Sequence, residues 1–204
     1  MAPAGEVAAP ITAPPGEAFA LDRQILLGLR EPTDLANPIG PDWLRHTAVD
    51  LTSLGGHSVL TALVLLVAGF LLLDGRRQTA ALVLASSIGA SLVSSGLKIL
   101  FARPRPDLVD HLVGVSTPSF PSGHALASAA IYLTLGALLA REFPRPALRR
   151  YFMSVAVALT LLIGMSRVYL GVHWPSDVLA GWCLGALWAA ACWRVDKWLQ
   201  ERRT

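Results

Sequence analysis

Five stretches of this chain, roughly 55–73, 79–101, 122–140, 151–170 and 177–195, are apolar and nearly free of charge. Each is close to the roughly 17–25 residues that an α-helix needs to cross the hydrocarbon of a bilayer. A helix satisfies its own backbone hydrogen bonds there, and an open strand does not. The pattern therefore predicts an all-α fold: a polytopic membrane helix bundle with about five transmembrane helices. Composition agrees, with 53% apolar residues, 15% charged residues and a mean hydropathy of +0.52. A surface this apolar suits lipid better than water. The net charge of +3 is small, and no stripe of interleaved basic and aromatic residues marks a nucleic-acid footprint. Membrane lipids are the expected surroundings, and nucleic acid is not an expected partner.

The flanks divide the remaining chain. Residues 1–15 are rich in Ala and Pro and read as a disordered tail, with neither the basic start nor the apolar stretch of a secretory signal. Insertion is then directed by the spans themselves. Residues 16–54 hold two weaker segments, 16–29 and 41–54, expected as amphipathic helices lying at the interface. The first gathers Phe19, Leu21, Ile25, Leu26 and Leu29 near one face, with Asp22 and Arg23 elsewhere. Residues 55–197 form the transmembrane domain, and 198–204 a basic tail. Cys183 and Cys192 share one span; nine residues of helix hold them about 13 Å apart, too far for a disulfide. Small residues recur four apart at Ser87, Ser91 and Ser95, and again at Gly181 and Gly185, a spacing that lets helices approach closely in lipid. The tryptophans of the last span, Trp182, Trp188, Trp193 and Trp198, include candidates for an interfacial belt.

Charge orients the bundle. Arg76 and Arg77, then Arg141, Arg145, Arg149 and Arg150, then Arg194, Lys197, Arg202 and Arg203 fall in alternate connectors and belong to one side. The positive-inside rule makes that side cytoplasmic. The loops after the second and fourth spans then lie outside. The N-terminal tail joins them, or stays inside if the N-terminal segment also crosses.

Those two outer loops and the adjoining span ends carry the chemistry. Lys98 closes the second span and Arg105-Pro106 follows it. Pro121-Ser122-Gly123-His124 opens the third span. Ser166-Arg167 ends the fourth, and His173 and Asp177 bracket the start of the fifth. Ionisable residues at membrane depth are costly and mark function. Lys98, Arg105 and Arg167 supply a point charge and two planar forks, suited to a phosphate. Ser122 stands where a helix N-cap is expected. The free amides of the first turn, near Gly123, form a ready anion site. Asp177, four residues after His173, can accept from one ring nitrogen and leave the other to attack phosphorus. His124 can protonate the leaving alkoxide and then activate water. Basic side chains already neutralise the phosphate, so neither a metal nor another cofactor is required.

In order and spacing, these motifs resemble the type 2 phosphatidic acid phosphatase family, which shares a core with vanadium haloperoxidases and bacterial acid phosphatases. The family pattern K-x6-R-P, P-S-G-H, S-R-x5-H-x3-D is met by Lys98 with Arg105-Pro106, by Pro121 to His124, and by Ser166-Arg167 with His173 and Asp177. The resemblance covers about residues 21–195. It implies a phosphohistidine at His173 and acid/base work by His124. It implies phosphate binding by Lys98, Arg105, Ser122, Gly123 and Arg167, and metal-independent hydrolysis of lipid phosphates. Arg103 is assigned no role. His46, His57 and His111 are expected to be structural or solvated. A vanadate-dependent haloperoxidase and a non-catalytic lipid-phosphate binder or transporter are the competing functions. Long spans and short loops favour an acyl or prenyl substrate over the first, and the complete set of catalytic residue types argues against the second.

Overall fold

The computed structural model describes residues 19–202; the expected tail at 1–15 lies outside them. Seven α-helices run in chain order: α1 (Ala20–Gly28), α2 (Asp42–Ser53), α3 (His57–Leu73), α4 (Arg77–Phe101), α5 (Gly123–Glu142), α6 (Pro146–Tyr169) and α7 (Pro175–Glu201). Helices α4 to α7 are each long and apolar enough to cross a membrane. At 17 residues, α3 reaches only about 25 Å, short of a hydrocarbon core of about 30 Å. It completes a fifth span only together with α2, to which it is joined at a bend of 46°. Outward-facing side chains of the bundle, among them Leu66, Phe70, Leu73, Ile88, Leu92, Leu161 and Leu187, are large, apolar and exposed, as a lipid-facing surface requires.

Local chemistry sets the boundaries. Ser122 caps α5, its side chain accepting from the Ala125 amide. Pro146 and Pro175 open α6 and α7, where a missing N–H costs nothing. Ala102 takes a left-handed conformation, φ 41°, which ends α4 and turns the chain over the helix ends. Helix α6 starts earlier than the apolar run and takes in Arg149 and Arg150. Helix α7 carries the basic C-terminal residues on to Glu201. Long basic side chains are good helix formers whose heads reach water from a span end.

Between α1 and α2 lies an element absent from the sequence reading, an antiparallel pair of strands β1 (Arg30–Glu31) and β2 (Asp34–Pro38). Asp34 makes its turn, accepting from the Ala36 amide at 3.1 Å and from Asn37 Nδ2 at 2.7 Å. The buried Arg30 fastens the hairpin to the end of α6 by donating to the Tyr169 carbonyl at 2.9 Å.

Helix α5 is central, packed on α3, α4, α6 and α7. Its buried face is built from small residues, Ala125, Ser128, Ala129, Ala130 and Gly136, which lets neighbouring backbones come close. The expectation for Gly181 and Gly185 is met there: a Cβ on Gly185 would lie 2.3 Å from the Leu126 carbonyl oxygen, and one on Gly181 2.8 Å from that of Ser122. On α4 the crossing residues are instead Ser86, Gly89 and Ala90. Ser86 Oγ donates to the Ala130 carbonyl at 3.0 Å, and Gly89 lies under the Trp188 ring. The Ser87, Ser91 and Ser95 row lines a cavity. Trp182 and Trp188 donate to the Thr160 and Ser86 carbonyls inside the bundle rather than marking an interface.

We expect Gly185→Val to lower detergent thermal stability by about 3 kcal/mol, the upper range for overpacking, because α5 backbone cannot yield. Gly96→Val, where a Cβ meets nothing within 4 Å, is the matched control. Equal midpoints for the two variants would show that α5 and α7 do not meet as described.

Candidate active site

The ends of α4, α5, α6 and α7 converge on one face, beneath the long loop between α4 and α5. Six of the residues singled out in the sequence, Lys98, Arg105, Gly123, His124, Arg167 and His173, line one cavity of about 310 Å³. Thr52 and Ser53 of α2 and the loop residues Val113 to Thr117 close its other walls. The opposite face carries the arginine-rich connectors, where Arg76 bridges Asp74 and Glu142.

The cavity's cations are held by neutral groups. Lys98 Nζ donates to the Pro118 carbonyl at 2.5 Å. Arg105 donates through Nε to the Thr117 carbonyl at 2.8 Å and through one terminal nitrogen to the Val172 carbonyl at 2.5 Å. Arg167, nearly buried, donates to Thr52 Oγ1 at 3.0 Å, and its Nε has no hydrogen-bond partner among the described residues. None of the three pairs with a carboxylate among the described residues. Cations drawn partly out of water without a counter-ion carry an uncompensated charge that a bound anion would relieve.

His173 lies between two charges. Its Nε2 is 3.3 Å from Arg105, and its Nδ1 is 3.6 Å from Asp177 Oδ2 and 3.4 Å from Ser119 Oγ. The Nδ1 to Asp177 approach is longer than a good hydrogen bond. Burial, joined by Arg105 and Arg167 and opposed by Asp177, pushes the imidazole down to about 4. The ring is therefore neutral at pH 7 and keeps a lone pair. In a 15N-histidine NMR titration, His173 should lose its proton near pH 4 and stay neutral above it. A midpoint near the ordinary 6.5 would show a ring open to water.

Asp177 is fully buried and fully employed. Oδ2 accepts from Ser119 Oγ at 2.5 Å and from the Trp174 amide at 3.1 Å. Oδ1 accepts from Arg103 at 2.5 Å. Ser122 is also fully buried: its hydroxyl caps α5 and its amide donates to the Asp177 carbonyl at 3.0 Å, so it ties two helix starts together behind the cavity. Gly123 is the residue of that turn that faces the cavity. His124 lies under the elbow between α2 and α3, where a Cβ on Gly55 would come within 3.4 Å of the imidazole and 2.4 Å of Ile163. A side chain at Gly55 would clash with Ile163 beside the ring.

Arg103, Ser119 and Thr52 were not found by sequence reasoning. Arg103 differs from the predicted Arg105 only in direction, which spacing does not encode. Ser119 and Thr52 are short hydroxyl residues whose partners are 58 and 115 positions away. His111 donates to, or accepts at, no cavity group; its Nε2 is 2.8 Å from the Pro106 carbonyl, and His46 is exposed.

Known proteins resemble this chain in sequence and fold. The family model of the PAP2 superfamily matches residues 79–201. Over 146 residues, 71% of each chain, the sequence is 33% identical to phosphatidylglycerophosphatase B of Bacillus subtilis. Over 143 residues, 69% of this chain and 73% of the other, it is 36% identical to decaprenylphosphoryl-5-phosphoribose phosphatase of Mycobacterium tuberculosis. A crystal structure of a transmembrane PAP2 type phosphatidylglycerolphosphate phosphatase from Bacillus subtilis matches with a TM-score of 0.76 and 30% identity, covering 88% of this chain and 86% of that one. The bundle, the ordered motifs and these likenesses agree: the chain is an integral membrane protein and belongs to the PAP2 superfamily.

Proposed function

We propose that this protein is a membrane phosphatase that hydrolyses lipid phosphate or diphosphate esters through a phosphohistidine on His173, without a metal. One observation carries the reading: three cations without carboxylate partners among the described residues, the half-buried Lys98 and Arg105 and the buried Arg167, share a cavity with a neutral, buried histidine.

In this mechanism the phosphate oxygens are held by those cations and by the first-turn amides of α5 near Gly123, with Ser122 holding the turn. His173 Nε2 attacks phosphorus, and the bond to the leaving oxygen breaks. Asp177 stabilises the imidazolium that forms, and the charge growing on the equatorial oxygens meets donors already in place. His124 gives its proton to the leaving alkoxide. It then takes a proton from the water that attacks the phosphohistidine, releasing phosphate and restoring both rings.

A second cavity of about 320 Å³ supports the lipid assignment. It shares Lys98, Thr117, Gly123 and His124 with the first and continues between α3, α4 and α5 past Leu60, Ala90 and Ile131. His124 thus stands where phosphate and leaving group would meet. The relatives' names point to phosphatidylglycerol phosphate and polyprenyl phosphates as substrate classes. The positive-inside rule puts the site on the outer face of a bacterial plasma membrane.

Purified protein in detergent, offered a panel of lipid mono- and diphosphates, should release phosphate at an undiminished rate in excess EDTA. Strict dependence on added magnesium would overturn the metal-free mechanism. Bromide oxidation with vanadate and peroxide, without phosphate release, would favour the haloperoxidase reading.

A further inference from the structure

We propose that Asp22, on the N-terminal helix α1, is a positioning residue for catalysis, acting through Arg103 on Asp177. This rests on the phosphatase reading above. The sequence places Asp22 off the apolar face of an interfacial helix, yet it is 5% exposed while Leu21, on the apolar face, is 64% exposed. Its carboxylate faces the bundle and makes three contacts there. Oδ1 accepts from the Ser176 amide at 2.8 Å, and Oδ2 accepts from Ser176 Oγ at 2.5 Å and from Arg103 at 3.0 Å.

Ser176 is the second residue of α7 and Asp177 the third. Asp22 therefore caps α7 from another helix, supplying the acceptor that its free amides need. Arg103 divides its guanidinium between Asp22 and Asp177, donates to Ser176 Oγ at 2.9 Å, and lies 4.6 Å from the Phe19 ring centroid and 5.6 Å from that of Trp174. Unlike Lys98, Arg105 and Arg167, it pairs with carboxylates, and it does not line the cavity. Its work is to fix Asp177 Oδ1, which leaves Oδ2 turned toward His173 and Ser119. Asp22 fixes Arg103 in turn, and it limits the positive charge that Arg103 sets against Asp177. The groups that would hold phosphate, Lys98, Arg105 and Arg167, make no contact with Asp22. Loss of Asp22 should therefore disturb the chemical step and spare binding.

The test measures kcat and KM for phosphate release from a dioleoyl phosphatidic acid or phosphatidylglycerol phosphate micelle, with thermal midpoints recorded for each variant. Asp22→Ala should lower kcat by about tenfold to a hundredfold, the scale of a misplaced catalytic group, with KM within about threefold. Asp22→Asn keeps an acceptor for Ser176 but loses the charge; it should show a smaller loss of the same kind, and it carries the test if Asp22→Ala does not fold. In an Arg103→Gln background, Asp22→Asn should cost less than half as much in log kcat as it does alone. Unchanged kcat in both Asp22 variants, a rise in KM alone, or an undiminished loss in the Arg103→Gln background would each overturn the proposal. If wild type releases no phosphate, or His173→Ala still does, the phosphatase reading fails and takes this inference with it.

Discussion

His173→Ala should abolish turnover, lowering kcat by about 10⁴-fold or more, the loss typical of a removed nucleophile. With a 32P-labelled lipid phosphate and an alkaline denaturing quench, which preserves the acid-labile N–P bond of a phosphohistidine, wild type should retain label and this variant none. No other group is placed to substitute. The second imidazole, His124, stands on the leaving-group side, where the two cavities join. Lys98 and Arg105 are turned onto the carbonyls of Pro118 and Thr117. Stability should change little, because a neutral ring in a cavity wall is replaced by a smaller neutral group and the Ser119 to Asp177 hydrogen bond remains. Wild-type phosphoenzyme yield in this variant would place the nucleophile elsewhere and dismantle the mechanism.

Asp177→Asn is expected to lower kcat by about 10³-fold while substrate binding survives, the pattern for an orienting carboxylate whose charge serves the transition state. Asp177 is fully buried, and three donors converge on it, Ser119 Oγ, the Trp174 amide and Arg103, with His173 Nδ1 3.6 Å away. An amide of the same size fits the space but brings its own N–H group against one of those donors. It also lacks the charge that stabilises a developing imidazolium. The phosphate-holding cations do not touch Asp177, so the Kd for inorganic phosphate or vanadate, measured by calorimetry, should move by less than about threefold. A large loss of phosphate affinity with kcat preserved would make Asp177 a binding residue and contradict the assignment.

These effects were legible in the sequence to different depths. Lys98, Arg105, Gly123, His124, Arg167 and His173 could be named beforehand because each belongs to a motif at, or within a few residues of, a span end. A membrane forces span ends to one face or the other, so counting spans brings those residues together. The same logic does not reach Arg103, Ser119 or Thr52. They lie in loops or on an amphipathic helix, and nothing in their neighbourhood says which way they turn. Asp22 shows the limit most clearly. Periodicity put it away from the apolar residues of α1, yet the fold buries it beside Leu26, one turn on, against the start of α7 and Arg103, while Arg23 stays exposed.

By itself, then, the sequence determined an all-α membrane bundle, the order of its spans and six residues of one cavity, because hydrophobic length and motif spacing are one-dimensional properties. The tertiary structure alone decided that α2 meets α3 at a bend of 46°, that a hairpin pinned by Arg30 follows α1, that Ser86 and Gly89 rather than the serine row carry α4's contacts, and which cations pair with carboxylates. Those outcomes depend on directions and distances between segments far apart in the chain. A side chain's partner across the bundle is set by how helices cross, and no local pattern records it.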